Sequence, residues 1–281
     1  MSNSPSQPIR KMPAARGLAW VTGSWAMIKR QPLRLLLISL LFQFLLSFSQ
    51  ANALGLVVIL CLPLLSAGLL QAFFLVERGE KPLLAVLFMP FMAGKSVSQL
   101  LLLGAIVMAL GLLVMSLVLA GQMVDLDPEL LKRIEQGDID ALQLVDPAVV
   151  ENAVIAMAIG AAVSGSITYF SVPLIWFNKQ GLGSALIMGL RALGRNWQPL
   201  LVIGALLALL AVPIILMFGT FYMSAINDGT ASIWLGALVL LIGPVFQLLL
   251  FGTQYLAFKD IFGMDDAVDG SVKKAPDQLV A

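Results

Sequence analysis

KRQPLRLLL (Lys29–Leu37) and RNWQPLLVI (Arg195–Ile203) spell the same entrance twice: basic residues, a Gln-Pro step, then an apolar run that begins at once. Proline suits such a corner, because it opens a new helix at a position whose N–H needs no intrahelical partner. The repeat predicts a chain that turns from the membrane plane into the membrane more than once.

Composition agrees. Of 281 residues, 59% are hydrophobic and 12% charged, with a mean hydropathy of +0.95. A water-soluble surface needs far more charge, so the class is a polytopic membrane protein. The net charge of +1 gives no global attraction to nucleic acid. The chain has no histidine, which removes the commonest general base, metal ligand and near-neutral switch. Its one cysteine, Cys61, lies in an apolar run, so neither an internal disulfide nor a cysteine metal site is possible.

Six apolar runs reach the length that a hydrocarbon core requires: 33–49, 54–76, 100–121, 153–177, 200–219 and 233–257. Each is expected to be a helix, because no water satisfies a backbone inside the bilayer. The fold class expected is all-α, a polytopic bundle of six transmembrane helices. With the N-terminus cytoplasmic, only Lys132 and Arg133 of the 17 Lys and Arg residues face outward. That asymmetry predicts both termini inside. Trp20, Trp25, Trp176, Trp197 and Trp234 fall near the expected interfaces and read as interface anchors. Ala51-Asn52-Ala53 resembles a signal-peptidase site, but the preceding basic region exceeds thirty residues and a second apolar run follows immediately. A tight turn between two helices is the better reading.

Residues 14–31, 82–98 and 181–198 are expected to be interfacial amphipathic helices. On a helical wheel, Leu18, Val21, Trp25 and Ile28 oppose Arg16, Gly23 and Arg30. In 181–198, Leu182, Leu186, Gly189, Leu193 and Trp197 oppose Ser184, Arg191 and Arg195. The segment from Pro82 is more apolar, is broken by Pro90, and is too short to cross, so it reads as interfacial or re-entrant. Each such helix leads into a pair of spans. The second span of each pair carries one proline (Pro63, Pro173, Pro244) and closes on a glycine (Gly79, Gly181, Gly263). The chain therefore reads as three tandem units of interfacial helix plus transmembrane hairpin, residues 13–264. A disordered cytoplasmic arm (1–12) and tail (265–281) flank it.

The acidic outer loop, 122–152, is the one sizeable polar insertion. DLDPE (Asp125–Glu129) could offer carboxylates to a hard cation, although Leu130 stands where an EF-hand needs glycine. Asp127-Pro128-Glu129 reads better as a helix start, with Glu129 and Arg133 paired along it. No metal site and no cofactor are assigned. Ala156, Gly160 and Ser164 form a small-residue ladder suited to close helix packing, within the bundle or between subunits. Pro63, Pro173 and Pro244 are hinge candidates whose plain reading is a static kink. Gln71 and Gln254 are expected to bond across helices or to line a small polar cavity. Arg16, Lys29, Arg30, Arg191 and Arg195 are candidate contacts to anionic lipid headgroups on the cytoplasmic side.

These features predict a non-catalytic, lipid-contacting scaffold or an accessory or assembly factor, alone, as a homo-oligomer or with a membrane-protein partner. The alternative is a small permease or lipid-handling transporter, without the intramembrane ionisable residue that proton coupling uses. An enzyme would have to work without histidine and without a carboxylate at depth. ARGLAWVTGSWAMIKRQPLRLLL (14–37) and LPLLSAGLLQAFFLVERGEKPLLAVLF (62–88) resemble an uncharacterised family of multi-span bacterial inner-membrane proteins. The resemblance implies that membrane and carries over no functional residue.

Overall fold

The computed structural model describes residues 9–51, 55–92, 94–119, 128–135, 144–145, 147–227 and 233–263. All regular structure among them is helical. In chain order the helices are α1 (Arg16–Arg30), α2 (Pro32–Ala51), α3 (Gly55–Glu77), a 3₁₀ segment (Leu84–Met92) and α4 (Lys95–Leu119). They are followed by α5 (Pro128–Glu135), α6 (Pro147–Trp176), α7 (Leu182–Arg195), α8 (Trp197–Asn227) and α9 (Ile233–Phe262).

Among the described residues, five helices are long and apolar enough to cross a membrane: α3, α4, α6, α8 and α9. The chain is a multi-pass helical membrane protein. The first expected span corresponds to α2, a 20-residue helix whose described side chains include the apolar stretch Pro32–Ser47. Both Gln-Pro entrances form corners as read: α1 ends at Arg30 and α2 opens on Pro32, while α7 ends at Arg195 and α8 carries Pro199 in its first turn.

The burial pattern sorts the helices. In α3 and α9 half of the apolar window is buried inside the protein; in α4 and α8 only 11% is. The two buried helices, together with α6, form the centre, where α3, α6 and α9 contact one another. Around them, α2 packs between α3 and α9, α4 packs between α3 and α6, and α8 packs on α9. The short elements fill the remaining positions: α1 against α9 and α8, the 3₁₀ segment against α3 and α2, and α7 against α6. The apolar outer faces of α4 and α8, including Leu112, Leu117, Leu209 and Ile215, are left exposed.

Three differences from the sequence reading have identifiable causes. The segment 82–98 is not one interfacial helix. Its start is the 3₁₀ segment, Gly94 turns the chain at φ 57°, and α4 already begins at Lys95. The second closing residue is Lys179, at φ 53°, and not Gly181, which is extended and precedes α7. A non-glycine residue held there costs about 1 kcal/mol, and the Lys179 ammonium is seated 4.3 Å from the Trp176 ring centroid. Burial also lowers the pKa of Lys179 from the ordinary lysine range. Gly79 and Gly263 close α3 and α9 at positive φ as expected. The third difference is the arm: Ile9–Met12 do not lie free. Arg10 N–H donates to the Ile261 carbonyl at 2.9 Å and Met12 N–H to Asn196 Oδ1 at 2.7 Å.

Of the acidic loop, α5 begins at Pro128 with Glu129 in its first turn, and α6 begins at Pro147. Asp125, Asp127 and Asp146 lie outside the described residues, as do residues 1–8 and the tail.

Candidate functional site

Polar side chains concentrate where α3, α6 and α9 end together. Each pair of these helices is tied by at least one hydrogen bond. Trp176 Nε1 on α6 donates to Gln71 Oε1 on α3 at 2.9 Å. Gln254 Nε2 on α9 donates to the Tyr169 carbonyl on α6 at 2.6 Å. Glu77 on α3 accepts from the Tyr255 hydroxyl and from the Lys259 ammonium, both on α9 and both at 2.6 Å. Apolar contact alone does not select one helix partner among lipids, so such bonds help specify the pairing. Aromatic rings pack among the ties: Phe177 of the α6 end lies 5.7 Å from Phe74, 6.1 Å from Tyr255 and 5.8 Å from Phe258.

A second cluster joins the beginning of the chain to its end. Asp260 Oδ2 accepts from Arg16 Nε and from Trp20 Nε1, both at 2.6 Å. Along the same seam Gly23 faces Leu256, Ser24 lies against Gly252, and the Ser24 hydroxyl donates to the Leu249 carbonyl at 3.2 Å. The helix α1 therefore runs along the last turns of α9. Asn196, between α7 and α8, completes the clasp with its Nδ2, which donates to the Arg10 carbonyl at 3.1 Å.

These contacts revise the sequence-predicted residues. In α1 the buried stripe is Gly17, Trp20, Ser24, Met27 and Ile28, facing protein, while Leu18 and Trp25 of the expected apolar side are exposed. Trp20 and Trp176 are not surface anchors. They are 2% and 8% exposed, and each indole N–H is satisfied by a protein acceptor, as a buried indole requires. Trp25 and Trp197 are exposed, and Lys29 lies over the Trp25 ring at 5.6 Å. The Trp234 side chain lies outside the described residues. Arg16 is committed to Asp260, whose hydrogen bond and charge raise its pKa further. Arg30, Arg191 and Arg195 are exposed.

Ala156 of the small-residue ladder is buried and α6 packs along α4, but a Cβ at Gly160 would meet nothing within 4 Å. Ser164 is half-buried beside them. The tight crossing of α4 is elsewhere, at Gly104 against the Leu60 carbonyl and Pro63 of α3. Pro63, Pro173 and Pro244 are all buried, and the Pro244 carbonyl accepts from Ser39 at 3.0 Å. Tyr169 Oη and Thr253 Oγ1 are buried without a hydrogen-bond partner. Among the described residues no three acidic, histidine or cysteine side chains gather as a metal site would require.

Glu77, Tyr255, Lys259, Asp260 and Asn196 carry the most specific contacts, and sequence reasoning assigned none of them a role. The available signal was charge at the ends of apolar runs, and the positive-inside rule absorbs that signal without naming partners. Neither a protein-family model, nor a curated protein, nor a solved structure matches this chain.

Asp260 gives the first test. In Asp260→Ala, the buried Trp20 indole loses its acceptor at a cost of about 2 kcal/mol. The Arg16 side chain is 50% exposed, so its half of the cluster adds little. Thermal unfolding in detergent should show the loss, together with a shifted tryptophan emission.

Proposed function

We propose that this protein is a non-catalytic membrane scaffold, or an accessory or assembly factor, that contacts lipid on its basic side. Its setting in this reading is a bacterial inner membrane, with six spans and both termini cytoplasmic, as in the family its sequence resembles. One observation carries the reading: the polar groups buried among the central helices are used to hold helices together. Gln71, Glu77, Gln247, Gln254 and Tyr255 all bond to a neighbouring helix. Among the described residues, Tyr169 Oη and Thr253 Oγ1 are buried without such a bond.

The tandem-unit reading draws support from the pairing of elements. Each short element packs on the hairpin that precedes it, the 3₁₀ segment on α2 and α3, α7 on α6, and α1 on the α8–α9 hairpin at the far end of the chain. Three units in a closed ring would pair in this way. Among the described residues the ring is uneven at one place, since α8 makes almost no contact with α6 while α2 reaches α9 and α4 reaches α3. That opening is the observation favouring the second reading, a lipid-handling transporter.

Reconstitution into liposomes separates the two. A scaffold leaves lipid scrambling and solute flux at the level of protein-free vesicles and retains a stable protein or lipid partner through gentle extraction. Lipid scrambling or solute flux that depends on the protein would overturn the scaffold reading.

A further inference from the structure

The 3₁₀ segment carries a surface that the sequence reading did not assign to any headgroup. At ~2.0 Å per residue its nine residues cover about 18 Å, too little to cross the bilayer, so it enters and leaves on one side. Leu87 sits against Gly68, which lies within the apolar run of α3 and nine residues before Glu77. By helical rise that is about 13 Å up α3 from its polar end. The segment therefore lies beside a membrane-crossing helix and not beyond it. Val86, Leu87 and Pro90 are buried against α3, whereas Leu84, Phe88, Met89, Phe91 and Met92 point outward, Met92 being 90% exposed. Arg78, whose guanidinium lies over the Phe74 ring, and Lys81 precede the segment and Lys95 follows it, all three exposed, with one exposed acid in the same stretch, Glu80.

We infer that the 3₁₀ segment is a fixed wedge in one leaflet, with its outward side chains among acyl chains and Arg78, Lys81 and Lys95 binding the headgroups of anionic phospholipids. An apolar face rimmed by cations fits an anionic lipid surface in both of its parts. The backbone seat on Gly68 holds the wedge at a set height, so the insertion does not depend on the segment folding against the lipid. The inference rests on the lipid-contacting reading above and adds a second, more deeply inserted site to it.

The test uses the full chain with Cys61→Ala and Met92→Cys, labelled with an environment-sensitive dye and reconstituted into phosphatidylcholine vesicles with and without phosphatidylglycerol. The dye is expected to emit as in an apolar medium, to be quenched by lipids carrying a nitroxide high on the chain, and to be shielded from aqueous iodide. Quenching should strengthen with phosphatidylglycerol, and Lys81→Glu with Lys95→Glu should weaken that enrichment about fivefold for each cation. Quenching by iodide, or protection from both quenchers as a second protein copy would give, overturns the wedge. Lipid quenching indifferent to phosphatidylglycerol and to both lysines overturns the headgroup site. A label at Leu18→Cys on α1 serves as the control. If it reports lipid while Met92 reports water, only this inference fails; if both report water, the lipid-contacting reading fails with it.

Discussion

Replacing Gly68 with valine is expected to destabilise the protein by about 3 kcal/mol and to lift the 3₁₀ segment off α3. The cause begins with Pro90. In a 3₁₀ turn the Leu87 carbonyl would accept from the N–H three residues on, and Pro90 has none. That carbonyl instead rests on the backbone of α3 at Gly68, where a hydrogen replaces a side chain. A Cβ built there would meet the Leu87 carbonyl oxygen and would lie 2.7 Å from both Leu87 C and Cα. Backbone on both sides of the contact leaves no flexible group to move aside. Gly111 in α4 provides the contrast, because a Cβ there meets nothing, and Gly111→Ala should gain about 0.5 kcal/mol or leave stability unchanged. The measurement is thermal unfolding in detergent, paired with thiol labelling at Met92→Cys in a Cys61→Ala background. If Gly68→Val melts with the parent, the close approach is not what seats the segment.

Glu77→Ala is expected to cost about 2–3 kcal/mol, and Glu77→Gln less. Glu77 is the acceptor that joins α3 to α9, through a hydroxyl and an ammonium at 2.6 Å each. Hydrogen bonds to a charged group contribute about 1.5–3 kcal/mol apiece. The pair is partly wet, with Glu77 29% and Lys259 19% exposed, so solvent screening trims that sum. Removing the carboxylate alone takes the acceptor from a half-buried cation, which is worse than removing both charges. Lys259→Met in the Glu77→Ala background should therefore recover part of the loss, and the double-mutant cycle should show a coupling of at least ~1 kcal/mol. A coupling near zero would mean that the aromatic packing around Phe177 holds this end of the bundle by itself.

Much of the architecture was legible in residue order. Long apolar runs must be helices, since the bilayer offers the backbone no other partner, and α3, α4, α6, α8 and α9 fall on runs read as spans. Gln31-Pro32 and Gln198-Pro199 marked the corners because proline needs no N–H there. Gln71 and Gln254 were read as bonding between helices or lining a cavity, and both bond between helices. Where the local reading went astray, a tertiary partner had intervened. Trp20 and Trp176 look like interface anchors until Asp260 and Gln71 take their N–H groups indoors. Lys179 does the work expected of Gly181 because the Trp176 ring receives its ammonium.

The sequence by itself determined a multi-pass helical membrane chain whose corners recur, because hydrophobic length and proline chemistry each act over a few neighbouring residues. Only the tertiary structure decided which helices meet: Glu77 with Lys259, Gln71 with Trp176, Arg16 with Asp260, partners between 105 and 244 positions apart in the chain. Hydropathy is a property of a window and is blind to such separations. A single carboxylate at a helix end looks the same whether it meets water, a headgroup or a lysine on another helix, and the packing of α3, α6 and α9 settles which of these it is.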